Sequence, residues 1–221
     1  MALHLLPNLL DPKAEPSLNF VSGLFEVVNS LSGFFVEDPK EARQFLSHFD
    51  FKTLKEKPMV KIGEEFDKEI LLPLEKGESW GVITDRGLPC LADPGAKIVA
   101  LARQKNIKVY AYPGPCSFIL ALMLSGIECQ SFQFQGYMPR LIDKTLRKKE
   151  VVQVFIETPY RTQKTLEALL AVLQDEDLLC LALDLTMPSQ EVITQKVSLW
   201  KKNSKESSFH KRPCIFIVKT F

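Results

Sequence analysis

Two short loops near the middle of the chain contain the residue types that most often bind a ligand. The first loop, residues 85–94, has the sequence DRGLPCLADP, and the second, residues 113–117, has the sequence PGPCS. Each follows an apolar run typical of a strand, and a helical segment separates the two loops. Because ligands collect beyond the carboxyl ends of parallel strands, this pattern predicts a binding site built from both loops.

The first loop has side chains and turn residues suited to binding. Asp85 follows the strand directly, and Gly87 lets the backbone approach a ligand closely. Asp93 and Pro94 form a pair typical of a helix start, with Asp93 as the N-cap and Pro94 as the first helical residue. Two interpretations of Asp85 and Asp93 remain open: they contact a ligand, or they only shape a tight turn before a capped helix.

The composition is that of an ordinary globular protein. The chain has 221 residues, which allows one large domain or two small ones, and its formal net charge is +1. This charge argues against nucleic-acid binding over the whole surface, but two local basic clusters stand out. They comprise Arg140, Lys144, Arg147, Lys148 and Lys149, and Lys201, Lys202, Lys205, Lys211 and Arg212. Either cluster could equally be a solvated surface.

The cysteines and the apolar segments bear on the compartment. There are five cysteines, an odd number, and none forms a C-x-x-C pair, so we predict neither a zinc site nor a disulfide framework. No bound metal is expected. The amino-terminal sequence lacks a basic leader, and the longest apolar stretch, residues 118–124, is too short to span a bilayer. We therefore expect a soluble, cytoplasmic protein with no membrane contact.

Apolar runs and helical periodicities alternate along the chain. Strands are predicted at residues 2–6, 33–36, 80–84, 108–112, 152–157, 178–185 and 214–219, with a further alternating strand from residue 131. Helices are predicted at residues 20–31, from 39 onward, and at 64–76, 116–125 and 159–173, and the helix at 116–125 should be largely buried. This order indicates an α/β fold with mostly parallel strands. The G-x-G-x-x-G fingerprint and the P-loop are missing, which argues against a nicotinamide dehydrogenase or a nucleotide hydrolase.

The central segment resembles the S-D-A-G-T-P, D-P-G and P-G-P-S signature of the tetrapyrrole methylase superfamily, and specifically its ribosomal small subunit methyltransferase I branch. Other segments are similar to further motifs of that branch. Residues 36–49, VEDPKEARQFLSHF, resemble A-E-D-T-R-x-T-R-x-L-L-S-H-Y, and residues 131–140 resemble R-F-x-F-E-G-F-x-P-R. The sequences ETPYR at 157–161 and ALDLT at 182–186 resemble E-S-P-H-R and A-R-E-L-T.

The resemblance implies two α/β domains, residues 1–113 and 114–221, with an S-adenosyl-L-methionine cleft between them. The residues that match the cofactor-binding motifs are Pro7, Asp85, Arg86, Gly87, Leu88, Asp93, Cys116, Ser117, Gly136, Leu183 and Asp184. Several positions depart from the family pattern, and three of them motivate a non-catalytic alternative. The first loop, L-P-N, lacks the glycine of T-P-I-G-N, Arg86 replaces an alanine, and Leu183 replaces an arginine. Arg86 could attract an RNA phosphate or partly occupy the cofactor pocket.

The resemblance also implies methyl transfer to a ribose 2'-hydroxyl of small-subunit ribosomal RNA, free or in the particle, by a homodimer. Such a hydroxyl must lose its proton, and Asp38, Glu157 and Asp85 are candidate bases. Structural alternatives exist, because Asp38 and Glu41 form a predicted capping box and Glu157 could pair with Arg161. Two other functions remain open: methylation of a tetrapyrrole or a modified protein side chain, and a non-catalytic protein that only binds the cofactor or RNA.

Overall fold

The computed structural model describes residues 1–63, 67–143, 146, 151–203, 209 and 211–221, with the side chains of Phe51 and Lys68 excepted. The chain divides into two compact units, Met1–Cys116 and Ser117–Phe221. The division therefore falls at Cys116, slightly beyond the boundary at residue 113 that the sequence suggested.

The first unit alternates strands and helices. Its strands are β1 (Ala2–Leu6), β2 (Gly33–Val36), β3 (Met59–Lys61), β4 (Ser79–Ile83) and β5 (Val109–Ala111). Its α-helices are α1 (Leu24–Ser30), α2 (Pro39–Leu46), α3 (Phe51–Leu54), α4 (Leu72–Glu75) and α5 (Gly95–Gln104). Short 3-10 helices lie at Pro16–Leu18 and Lys68–Leu71.

All strand pairs described in the first unit are parallel, in the order β3-β2-β4-β1-β5. The carboxyl ends of the strands therefore meet at one edge of the sheet. Both faces are covered, which explains why strand sequences such as GFFV are continuously apolar. On one face Phe34, Val36 and Ile83 pack against α1, α2 and α3. On the other face, Phe35 and Val82 pack against α4 and α5.

The loop after β4 occupies a special place in this sheet. The chain leaves β1 and β2 for helices on one face, whereas it leaves β4 for α5 on the opposite face. Strand β4 lies between β1 and β2. On both sides of the carboxyl end of β4, the connections that leave adjacent strands therefore pass to opposite faces of the sheet. Ligands of open α/β sheets bind at such topological switch points. The topology thus indicates a ligand site at the loop that begins at Asp85.

The second unit contains a mixed sheet of a different kind. Its strands are β6 (Phe132–Tyr137), β7 (Val152–Glu157), β8 (Leu178–Leu183), β9 (Glu191–Lys196) and β10 (Cys214–Lys219). Its α-helices are α6 (Ser117–Ser125), α7 (Thr162–Val172) and α8 (Val197–Asn203). The strand order is β6-β7-β10-β8-β9, in which only the β6–β7 pair described is parallel. The prediction of mostly parallel strands is therefore right for the first unit and wrong for the second.

The second sheet has its core on the face covered by α7 and α8. Leu166, Leu169, Trp200, Leu181 and Phe216 are buried there. Helix α6 packs on β7, β8, β9 and β10. The prediction that this helix is largely buried is wrong, because Ile119, Met123 and Leu124 are 38%, 74% and 46% exposed.

Three helix predictions also need correction. The segment predicted as one helix at 64–76 contains a 3-10 turn followed by the short helix α4, with Pro73 in its first turn, and Glu64–Phe66 lie outside the described residues. Helix α7 begins at Thr162 rather than Pro159, because residues 158–161 form a separate turn. Helix α1 begins at Leu24 rather than Phe20. No helix in the described part of the chain has the length and apolar character needed to cross a membrane.

Candidate functional site

The loop after β4 needs glycine at position 87. Gly87 has a φ of +70°, a conformation that residues with a side chain rarely adopt. A Cβ at this position would also lie 3.2 Å from Leu10 Cδ2 and 3.4 Å from the Pro115 carbonyl oxygen. The loops after β1, β4 and β5 therefore approach one another closely around Gly87.

The loop after β1 is joined to the loop after β4 by Asn8. The buried Asn8 side chain donates from Nδ2 to the carbonyl oxygens of Thr84 and Asp85, at 2.9 and 3.0 Å. Its backbone N–H donates to the Gly87 carbonyl oxygen at 2.7 Å, and its Oδ1 accepts from the Leu9 N–H at 2.7 Å. Asn8 thus fixes the corner between β1 and the loop after β4 through its hydrogen bonds.

The Pro-Gly-Pro turn after β5 packs directly on the first loop. A Cβ at Gly114 would lie 2.1 Å from Pro7 Cβ and 3.4 Å from Leu88 Cδ2. Since Cβ atoms do not approach one another so closely, Gly114 is required where the three loops meet. Pro7 therefore packs on the Pro-Gly-Pro turn, although the glycine of its own loop is missing.

The loop after β2 supplies two more polar residues. Glu37 Oε2 accepts from the Thr84 hydroxyl at 2.8 Å and from the Asp85 N–H at 2.9 Å. The Asp38 N–H donates to Asp85 Oδ1 at 3.2 Å. Asp38 is the N-cap of α2, as predicted, because its Oδ1 accepts from the N–H groups of Lys40 and Glu41.

The surroundings of Asp85 and Asp38 shift their proton affinities in opposite directions. Burial raises the pKa of Asp85, and the negative charges of Glu37, Asp38 and Glu41 raise it further, while the Asp38 N–H opposes the shift. In contrast, the backbone hydrogen bonds from Lys40 and Glu41 lower the pKa of Asp38. Asp85 is consequently the better proton acceptor of the two.

Arg86 crosses from the loop after β4 to helix α2. Its Nη1 lies 2.7 Å from Glu41 Oε2 and donates to the Asp85 carbonyl oxygen at 2.6 Å. The predicted capping box between Asp38 and Glu41 does not form. The Glu41 carboxylate pairs with Arg86 instead, and the Asp38 N–H donates to the Asp85 carboxylate. Arg86 therefore joins the two loops and remains 39% exposed.

Asp93 organises the far end of the same loop. Its carboxylate accepts from the Cys90 N–H at 2.9 Å and from the Gly95 N–H at 2.8 Å. Helix α5 begins at Gly95 with Pro94 at the N-cap, one residue later than predicted. Burial, together with the charge of Asp93, raises the pKa of Cys90 to about 12, so this thiol is protonated and unreactive at neutral pH.

Glu157 in the second unit is enclosed by partners. Its side chain is 0% exposed, and it lies 3.4 Å from Arg161 Nη2, which is the ion pair that the sequence suggested. Its oxygens also accept from the Thr158 N–H at 2.7 Å and from the Thr165 hydroxyl at 2.6 Å. Arg161 donates to the Met138 and Pro139 carbonyl oxygens. This arrangement fastens the start of α7 to the end of β6.

The cofactor-binding candidates of the second unit, unlike one another in their surroundings, are Ser117, Gly136, Leu183 and Asp184. Asp184, with a φ of +50°, accepts from Arg212 Nε at 2.7 Å, and Arg212 also binds Glu191. The Leu183 side chain is fully buried in the core, so only its backbone could reach a ligand. Gly136 has a φ of +75° at an irregularity in β6, and Ser117 is the first residue of α6.

The structure describes only part of the two basic clusters. Lys144, Arg147, Lys148, Lys149 and Lys205 lie outside the described residues. Arg140 is exposed. In the second cluster Lys201 pairs with Asp175 at 2.7 Å, and Arg212 pairs with Asp184 and Glu191. The second cluster is thus partly neutralised by neighbouring acids.

A family model described as Tetrapyrrole (Corrin/Porphyrin) Methylases matches residues 26–199. The chain belongs to the tetrapyrrole methylase family. The resemblance inferred from the motifs and the two-unit α/β fold are thereby confirmed. The solved structure of uroporphyrin-III-C-methyltransferase from Thermus thermophilus shares the fold of this chain, with a TM-score of 0.57 at 16% identity over 98% of this chain and 92% of that one.

Two bacterial relatives are more similar to this chain in sequence. Ribosomal RNA small subunit methyltransferase I of Vibrio cholerae is 34% identical over 184 residues, which are 76% of this chain and 64% of that protein. The protein of the same name from Thermotoga maritima is 31% identical over 171 residues, which are 73% of this chain and 75% of that protein. The chain thus spans less than two thirds of the length of the Vibrio relative.

Within the first unit, the structure brings several of the predicted site residues together. Pro7, Asp85, Gly87 and Leu88 lie in the three loops that meet around Gly114, and Arg86 and Asp93 shape the same loop from either end. Cys116 ends the first unit. Three residues near Asp85 that were not predicted as site residues are Asn8, Glu37 and Thr84. Glu37 was detectable in principle, because it follows β2 directly, as Asp85 follows β4.

Proposed function

We propose that this protein is an S-adenosyl-L-methionine-dependent methyltransferase that acts on small-subunit ribosomal RNA. The observation that carries the proposal is the junction of the loops after β1, β4 and β5, where Gly87 and Gly114 leave no room for side chains. Family membership and the names of the two relatives support the reaction and the substrate. The bound cofactor would supply an activated methyl group on a positively charged sulfur.

The residues of the first unit suit a ligand of this kind. Glu37, Asp38 and Glu41 act on Asp85 with negative charge, and although Arg86 pairs with Glu41, the carboxylates outnumber this cation and favour a cationic ligand nearby. The close-packed loops restrict where a ligand can lie, and such alignment is the main contribution an enzyme makes to a displacement reaction. Pro7, Asp85, Gly87 and Leu88 would hold the cofactor, with Asp93 fixing the shape of the loop.

We propose a ribose 2'-hydroxyl as the methyl acceptor and Asp85 as the first candidate for its proton acceptor. The raised pKa of Asp85 favours proton uptake, whereas the pKa of Asp38 is lowered by its capping hydrogen bonds. Glu157 is enclosed by Thr158, Thr165 and Arg161, which favours a structural role for it. Asp38 and Glu157 are therefore the weaker candidates.

Contacts with RNA are proposed for the basic residues that follow Gly136, beginning with the exposed Arg140. Binding through phosphates releases counterions, so affinity for RNA should fall as salt concentration rises. The second basic cluster should contribute less, since Lys201 and Arg212 already have acidic partners.

We also propose a homodimer that works in the cytoplasm. Helix α6 has no charged residue, and Ile119, Met123 and Leu124 are exposed, together with Phe132 of β6 at 40%. Exposed apolar surface of this kind marks interaction sites, and a second copy is the simplest occupant. All five cysteines are free thiols, which suits a reducing compartment. Sedimentation of the parent and of Met123→Lys would test the dimer: a monomeric parent would contradict it.

The test of the function combines binding with methyl transfer. The parent, Asp85→Ala and the control Glu26→Ala, which changes an exposed acid on α1, are titrated calorimetrically with S-adenosyl-L-methionine. Each is then incubated with methyl-labelled cofactor and small-subunit RNA from a bacterial strain that lacks its own methyltransferase I. We expect the parent and the control to bind and to label the RNA, and Asp85→Ala to do so weakly. Binding without labelled RNA would contradict the proposed acceptor, and absent binding would contradict the enzyme.

A further inference from the structure

We propose that Glu37 is a positioning residue whose carboxylate holds the backbone of the loop after β4 in its binding conformation. The role in binding rests on the proposed function, because the loop is taken to meet the cofactor. The hydrogen bonds themselves do not depend on that function, so the two claims can be tested separately.

The register of the sheet explains why Glu37 reaches this loop. Strands β2 and β4 are parallel neighbours, and Val36 pairs with Ile83 at their carboxyl ends. The residues that directly follow these two strands, Glu37 and Thr84, therefore lie side by side. A single oxygen, Glu37 Oε2, accepts both the Thr84 hydroxyl at 2.8 Å and the Asp85 N–H at 2.9 Å. Hydrogen bonds to an ionised acceptor are stronger than neutral ones, so the pair fixes the point where the loop leaves the strand.

The contact is reciprocal, which makes it specific for this loop. While Glu37 accepts from the Asp85 backbone, the Asp85 side chain accepts from the Asp38 backbone at 3.2 Å. Each loop therefore offers one carboxylate and one N–H group to the other. Arg86 adds a third connection through Glu41 at 2.7 Å. A displacement of either loop would break several hydrogen bonds at once.

Asn8 holds the same loop from the side of β1. Its amide donates to the carbonyl oxygens of Thr84 and Asp85, while Glu37 receives the hydroxyl of Thr84 and the N–H of Asp85. The peptide groups next to Asp85 are thus held by one side chain from each neighbouring strand. Of these two side chains Glu37 is negatively charged, and it also contributes to the raised pKa of Asp85.

A glutamine at position 37 separates positioning from chemistry. The glutamine carbonyl oxygen can accept the same two donors as Glu37 Oε2, but the neutral amide cannot take up a proton as a base. Glu37→Gln should therefore preserve a positioning role, whereas Glu37→Ala removes both hydrogen bonds. Thr84→Val is an intermediate case that removes one donor without changing the shape of the side chain. Glu75→Gln is the matched control, because Glu75 pairs with Lys105 elsewhere in the same unit.

The first measurement is the hydrogen-exchange rate of the Asp85 amide in the protein without cofactor. We expect the rate to rise about tenfold or more in Glu37→Ala and to change little in Glu37→Gln and Glu75→Gln, because only the alanine variant lacks an acceptor. An unchanged rate in Glu37→Ala would overturn the proposal. If that variant does not fold, Glu37→Leu, which has a similar volume but no hydrogen-bond acceptor, is measured instead, and an unchanged rate in it would overturn the proposal.

The second measurement compares cofactor affinity with turnover. Glu37→Ala should bind S-adenosyl-L-methionine about ten to a hundred times more weakly, while Glu37→Gln should stay within about threefold of the parent in both Kd and kcat. A Glu37→Gln variant that binds normally but has lost its turnover would show that Glu37 takes part in the chemistry, and would overturn a positioning role. A parent that does not bind the cofactor would contradict the proposed function, while the exchange rates would still decide the role of Glu37.

Discussion

Acidic residues end strands in both units of this protein, but their surroundings differ. In the first unit Glu37, Asp38 and Asp85 lie together at the ends of β2 and β4, and the negative charges raise the pKa of Asp85. In the second unit Glu157 ends β7 and Asp184 follows β8, and each is bound by an arginine. Acidic residues therefore serve two purposes, according to whether an arginine binds the carboxylate itself.

The comparison indicates which region is built for binding. Acids that are neutralised inside the protein, as Glu157 is by Arg161, contribute to stability and have little left to offer a ligand. Acids held together without full neutralisation are unfavourable for stability, and such groups concentrate at functional sites. We therefore propose that binding takes place at the strand ends of the first unit, and that the acids at the strand ends of the second have a mainly structural role.

Replacement of the enclosed acid in the second unit should have the largest effect on stability. Glu157→Ala leaves the Thr165 hydroxyl, the Thr158 N–H and Arg161 without their acceptor, so we expect a loss of about 3 kcal/mol in the free energy of unfolding. Chemical denaturation of the parent and the variant measures this. A loss below about 1 kcal/mol would remove the contrast between the two units.

Gly114→Ala should have the next largest effect, and it should act on binding as well. The added methyl group would lie 2.1 Å from Pro7 Cβ, so the loops after β1 and β5 must separate. We expect about 2 kcal/mol of destabilisation and a clear loss of cofactor affinity, measured by denaturation and calorimetry. Gly23→Ala is the control, because nothing lies within 4 Å of its Cβ position. Equal effects of the two substitutions would contradict the close packing of these loops.

Asp85→Asn should make the protein slightly more stable at neutral pH. The raised pKa means that folded Asp85 binds a proton more readily than unfolded Asp85, so stability falls as pH rises through the interval between the two pKa values. Above that interval the charged form carries a cost, which asparagine removes. The gain should be under about 1 kcal/mol because the group is partly solvated, and it should vanish below both pKa values. Melting temperatures at about pH 7 and about pH 3 test this, and a gain that persists in acid would refute it.

Arg86→Ala should have the smallest effect on stability. It removes a partly exposed ion pair with Glu41, and such pairs contribute about 0.5 kcal/mol. The same variant reports on the cofactor pocket. Since the Arg86 guanidinium is held by Glu41 and the Asp85 carbonyl oxygen, we expect cofactor affinity to change less than about threefold. A large gain in affinity would mean that Arg86 obstructs the pocket.

Local sequence signals predicted several features well. Strands β2, β7 and β10 have the predicted bounds, because each is a short apolar run between turn residues. Asp38 is the predicted N-cap, since capping depends only on the next few residues. Conversely, β3 and β9 were not predicted: β3 has three residues, and β9 is partly exposed at a sheet edge.

Features that depend on distant residues could not be predicted in this way. The capping box does not form because the Glu41 carboxylate pairs with Arg86, which is distant in the sequence. The antiparallel arrangement of β7, β10 and β8 depends on which strands pair. The sequence of a continuously apolar strand does not show whether its neighbours run parallel or antiparallel to it. Motif resemblance indicated the loop after β4, but the contact of Glu37 with Asp85 follows only from the register of β2 and β4.

The central claim is that the loops at the strand ends of the first unit bind the cofactor. Hydrogen exchange of the full chain, measured with and without S-adenosyl-L-methionine, tests this most directly. We predict slower exchange in the segments around Asn8, around residues 85–88 and around Gly114, with little change in β9 and α8. Binding that leaves all three segments unchanged, or no binding at all, would contradict the claim.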